Sequence, residues 1–113
     1  MPIANCIITP KCQKGSDVSG NLIDLWASES KKSSEKMTIN ILTSSEQLGQ
    51  QYTIIANLLL PSIWSSSDIS SLQLGLAKAL SLSFDLSSKE VFVSTSIVES
   101  GMVVEAGKEV DWS

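Results

Sequence analysis

Apolar residues along this chain gather into short blocks whose spacing switches between a strand period and a helix period. Pro2 to Thr9 is an isoleucine-rich run closed by Pro10 and the turn Lys11-Cys12-Gln13-Lys14-Gly15, the pattern of a buried strand. Ser16 or Asp17 can cap a helix whose apolar positions Val18, Leu22, Leu25 and Trp26, with Ile23 beside them, fade into Glu29-Ser30-Lys31-Lys32. Lysines there suit the negative end of a helix. Met37 to Thr43 sets Met37, Ile39 and Ile41 against Thr38, Asn40 and Leu42, which predicts a strand with one drier face. After a polar connector, Ser44 to Gln51, the run Tyr52 to Leu60 is apolar on both faces and halted by Pro61, as a strand covered on both sides would be. Ser65 to Asp68 caps a second helix with the stripe Ile69, Leu72, Leu76, Ala79 and Leu80. A last strand is predicted from about Glu90 to Glu99. Gly101 breaks it, and Met102 to Ala106 suggests a short extra strand before a polar acidic tail carrying Trp112.

Strand, helix, strand therefore occurs twice, and Ser33 to Ile39 resembles Ser87 to Val93 at equivalent places in the two halves. The expected fold class is α/β (α+β): two βαβ units, about 1–50 and 51–113, forming a four-stranded mixed sheet with two helices on one face, in a single domain spanning 1–113. The other sheet face is then bare. Apolar residues at alternate positions of Tyr52 to Leu60 and Val91 to Val98 would leave a patch too large for a monomer, so self-association is expected. A two-fold or a three-fold arrangement would cover such a face equally.

Composition narrows the chemistry. Net charge is −4, and the eight basic residues are all lysines with no run longer than Lys31-Lys32, so nucleic acid is not an expected partner. No apolar stretch approaches a membrane span and the first residues lack the pattern of a signal peptide, which leads to a cytoplasmic expectation and no membrane. Cys6 and Cys12 read as reduced thiols, Cys6 as a small core residue. The chain has no histidine, and its six glycines match no phosphate-binding pattern; neither a metal ion nor another cofactor is expected.

General-base work near neutral pH then falls to a carboxylate raised or an amine lowered in pKa. Met1 precedes the small residue Pro2, a context in which the initiator is generally removed, so the mature chain is expected to begin with the secondary amine of Pro2. At the head of a buried strand, desolvation and a nearby cation such as Lys32 would favour its neutral, basic form. Met1-Pro2-Ile3 leading straight into a strand, Lys32 between the first helix and the second strand, and Leu86-Ser87-Ser88-Lys89-Glu90-Val91-Phe92-Val93 together resemble the tautomerase superfamily, especially its macrophage migration inhibitory factor branch. The resemblance covers nearly the whole chain. It implies a homotrimer around a solvent channel, pockets between adjacent subunits, and keto-enol tautomerisation of α-keto acids such as phenylpyruvate with the N-terminal proline as general base and acid.

Carried onto this sequence, the resemblance makes Pro2 the catalytic proline and Lys32 the residue that binds the substrate carboxylate. Ser62 and Ile63, in the loop Pro61 to Trp64, fall where the family places backbone donors and an apolar wall. Phe92 and Ser94 stand where that branch has a tyrosine and an asparagine, both reaching into the neighbouring subunit's pocket. Phe92 can stack on an aromatic substrate but cannot donate to a developing enolate, a loss of about 3 kcal/mol if nothing replaces it. Lys36 occupies a rim position that is often aromatic in the family. The absence of arginine argues against the relatives that use arginine pairs for dehalogenation or decarboxylation. The alternative expectation is a non-catalytic trimeric binding or structural protein of the same fold.

Overall fold

In the computed structural model, which describes residues 1–9, 12 and 21–112, strand β1 (Ile3–Ile8), helix α1 (Leu22–Ser30) and strand β2 (Thr38–Thr43) form one βαβ unit. Strand β3 (Ile54–Pro61), helix α2 (Ser66–Phe84) and strand β4 (Val91–Val98) form the second. The cap expected at Ser16 or Asp17, Val18, and most of the turn after Pro10 lie outside the described residues. Strand order is β2-β1-β3-β4, parallel within each unit and antiparallel where β1 meets β3 at the centre. This is the four-stranded mixed sheet expected from the two halves.

Strand alternation decides what each face carries. Ala4, Cys6 and Ile8 of β1, and Ile54, Ala56, Leu58 and Leu60 of β3, point to the helices and are buried. Against them pack Leu22 and Trp26 of α1 and Leu72, Leu76, Ala79, Leu80 and Phe84 of α2. Burial pushes the Cys6 thiol up to about 12, which makes it an inert core residue. The predicted α2 stripe holds except that Ile69 is only partly buried. Ser65 caps α2 by accepting from the Asp68 backbone N–H at 3.1 Å. The two helices end alike, Lys31 closing α1 and Asp85 closing α2 in the left-handed region at φ of 58° and 55°.

Where the helices cross, the chain leaves no room for a side chain. A Cβ placed on Gly75 of α2 would lie 2.8 Å from Ser30 Cβ and 2.9 Å from the Ser30 backbone nitrogen. Backbone cannot yield as a flexible side chain would. Gly75→Ala is therefore expected to lower stability by about 1 kcal/mol net, overpacking outweighing the gain in helix propensity; a urea midpoint unchanged or raised would contradict this contact.

The face away from the helices is banded. Register aligns Leu42, Ile7, Ile55 and Phe92 in one apolar row, then Asn40, Asn5, Asn57 and Ser94 in a polar row beside it. Asn40 donates to Asn5 at 2.8 Å and Asn57 to Ser94 at 3.3 Å. Ile7, Leu42 and Phe92 are each at least 40% exposed, so the bare face exists, but it is less uniformly apolar than alternation within single strands suggests.

The chain after Gly101 differs most from expectation. The predicted short strand is present as β5 (Val103–Glu105), but the stretch read as a solvated tail returns as β6 (Lys108–Val110), paired antiparallel with it. The two-residue turn has Ala106 at φ 55° and Gly107 at φ 79°, the double positive φ of a type I′ hairpin. Alanine seldom accepts that conformation, so the turn carries little sequence signal.

Candidate active site

Pro2 is held at the head of β1, where a strand tolerates the missing N–H, and its carbonyl accepts from Thr38 N–H at 3.0 Å. The residue is buried. The left-handed turn at Lys31 stops α1, Lys32 N–H bonds back to the Ala27 carbonyl at 3.0 Å, and the chain swings toward β2 past Pro2. Pro61 to Trp64 leaves β3 in a turn tied to β4 by Ser62 N–H donating to the Val98 carbonyl at 2.9 Å.

Two cavities meet at the N-terminus. The smaller, of about 180 Å³, is lined by Met1, Pro2, Lys32, Ser33, Glu35, Lys36 and Trp64. The larger, of about 530 Å³, has an apolar wall of Ile3, Pro61, Ile63, Val103, Val110 and Trp112, with Thr38, Glu105, Met1 and Lys36 completing it. Met1 and Lys36 are the residues common to both. The Met1 amine is pushed below its ordinary value, first by burial and then by the Lys36 charge, with Glu105 opposing.

Lys32 lines the smaller cavity with Pro2, as expected, but its ammonium is paired with Asp68. Asp68 sits in the first turn of α2, and the hydrogen bonds from Lys32 and then Ser65 hold its carboxyl below the usual carboxylate value. Lys32 Nζ also lies 5.6 Å from the centre of the Trp64 ring, within cation–π range. Trp64 Nε1 is buried with no hydrogen-bond partner among the described residues.

Ile63 lines the larger cavity. Ser62 is a fastener beside it: its hydroxyl accepts from Trp112 Nε1 at 3.0 Å and so ties the C-terminal hairpin to the loop after β3. Ser100 accepts from the Trp112 backbone N–H at 2.9 Å and completes the clasp. Phe92 and Ser94 line neither cavity in the single chain; they lie on the open face of β4, Phe92 5.1 Å from the Tyr52 ring and Ser94 beside Asn57. Sequence reasoning missed the wall formed by Val103 and Val110, hidden by the weak turn signal at Ala106-Gly107, and the counter-ion Asp68, which lies 36 residues from Lys32.

Two βαβ units around one mixed sheet are the arrangement that this chain shares with solved fused 4-OT and macrophage migration inhibitory factor structures. Native fused 4-OT superposes with a TM-score of 0.78 over 95% of this chain and 94% of that one, at 9% identity. The Q0 fused 4-OT symmetric trimer gives 0.75 over 96% and 94%, at 14% identity. Macrophage migration inhibitory factor from Oncomelania hupensis gives 0.71 over 98% and 83%, at 9% identity. No family model matches the chain, and no curated protein matches it. At such identities the likeness establishes the fold. No helix among the described residues is long and apolar enough to cross a membrane.

Proposed function

We propose that the chain, beginning at Pro2, is a cytoplasmic homotrimeric keto-enol tautomerase of α-keto acids such as phenylpyruvate. The observation that carries this reading is the position of Pro2, buried beside a cavity with a lysine-bearing turn on one side and an apolar chamber on the other. The neutral Pro2 nitrogen takes a proton from the carbon next to the ketone, and the resulting ammonium returns it to the enolate oxygen. Turn 31–36 receives the carboxylate, and Ile63, Val110 and Trp112 receive the apolar tail. Binding at two ends supplies orientation, while the dry surroundings keep the amine uncharged. Support for a trimer comes from the neighbours described as fused 4-OT trimers and from the bare sheet face. In such an assembly Phe92 and Ser94 would come from the adjacent copy.

A non-catalytic binding protein of the same fold is the second reading, favoured by the Lys32–Asp68 pair and by the lack of a hydroxyl at Phe92. Following the ultraviolet absorbance of phenylpyruvate enol separates the two. Protein whose intact mass shows Pro2 as the first residue is expected to accelerate ketonisation in proportion to its concentration. Binding of phenylpyruvate without any acceleration would leave the second reading.

A further inference from the structure

We infer that Lys36, rather than Lys32, takes the substrate carboxylate, and that Asp68 holds Lys32 out of that role. The inference rests on the function proposed above and names the anchor of the same site. For Lys32 to serve, a ligand carboxylate would have to share the ammonium with Asp68, whose charge already offsets it and which, as a partner on the same chain, gives up no translational freedom in binding. Asp68 is itself well held, by the Ser65 hydroxyl contact to its backbone and by the positive end of α2. The Trp64 ring occupies a further side of the Lys32 ammonium. Lys32 is a structural cation that pins the α1–β2 turn to α2.

Lys36 is placed differently. It is exposed, forms no ion pair among the described residues, and lines both cavities, so an anion entering from either side meets it. The acid nearest to it in function, Glu105, stands on the wall of the larger cavity without making an ion pair to it. One unspent cation at the junction and one carboxylate in the apolar chamber describe a site for a monocarboxylate with an apolar tail. A second carboxylate at the tail end would face Glu105, and like charges in a partly desolvated site repel.

The test uses the chain beginning at Pro2 and the unreactive probe 3-phenylpropionate, followed by the fluorescence of Trp64 and Trp112 in the cavity walls. Lys36→Met is expected to weaken binding at least about tenfold, the loss of one charge-assisted contact. It should leave the affinity for the methyl ester of the probe within about twofold of wild type. Lys32→Met is expected to weaken binding less than Lys36→Met does, and Asp68→Asn to tighten it by releasing Lys32. Loss of binding in Lys32→Met with Lys36→Met unaffected would overturn the inference, as would a wild-type chain that binds no probe. Full turnover in Pro2→Ala, with binding still dependent on Lys36, would uphold the anchor while contradicting the proposed tautomerase mechanism.

Discussion

A chain that retains Met1 is expected to enolise phenylpyruvate at least about a hundredfold more slowly than one beginning at Pro2, the span ordinarily attributed to a positioned general base. Retention changes two things at once. The Pro2 nitrogen becomes an amide with no basic lone pair, and the Met1 side chain stands where the two cavities share a wall. Pro2→Ala, with its N-terminus verified, keeps an amine at the same place but loses the ring that fixes its direction. Its kcat/KM is expected to fall between the two. The order Pro2-first, Pro2→Ala, Met1-retained is specific to a base at this nitrogen; equal activities across the three preparations would place the chemistry elsewhere.

Trp26→Ala is the change expected to cost most stability, about 3–5 kcal/mol, a large part of the 5–15 kcal/mol typical of a domain. Trp26 is fully buried on α1, and its Nε1–H donates to the Leu72 carbonyl of α2 at 3.0 Å. The ring thus fills the space between both helices and the sheet while tying the two βαβ halves together. Truncation leaves a large cavity lined by well-packed side chains that cannot collapse onto it. Trp26→Phe keeps most of the apolar contact and loses the hydrogen bond, so its urea midpoint should lie nearer to wild type than to Trp26→Ala. Comparisons belong at one protein concentration, since assembly adds to apparent stability. A Trp26→Ala midpoint equal to wild type would mean the halves are held together by something other than this packing.

Elements governed by local pattern were legible in the sequence. The α2 stripe, the Ser65 cap and the core position of Cys6 follow from periodicity and turn residues within a few positions of one another, whereas β3, read as covered on both sides, is fully buried only on its helix face. Of the residues read as candidates, Pro2, Lys32 and Ile63 are the ones that the fold brings around the N-terminus. What could not be read depends on distant pairs. Asn5 and Asn57 look unrelated until register puts them opposite each other, and only then does a polar band divide the open face. Asp68 reads as a cap-region acid, as it is, with nothing local to say that it also neutralises Lys32. The hairpin was hidden because Ala106 adopts a positive φ on behalf of a turn that asparagine or glycine ordinarily signals.

The pairing of Lys32 also moves the electrostatics of the site. A lone Lys32 beside Pro2 was the expected cation near a terminal amine; the amine of Met1 is lowered first by burial and then by Lys36. In a chain beginning at Pro2, the same lysine that would hold a carboxylate would then also help keep the proposed base neutral. An anion bound at Lys36 offsets part of that charge and should raise the pKa of the amine, favouring the protonated form needed for return of the proton to oxygen.

Nitrogen-15 NMR of proline-labelled protein beginning at Pro2 tests the central claim most directly. Of the three prolines in the sequence only Pro2 would carry a titrating nitrogen. A pKa for it below the ordinary α-amino value of about 8, rising when 3-phenylpropionate is bound, is the result predicted. A value at or above 8 in the free protein would contradict a desolvated catalytic amine at this end of β1.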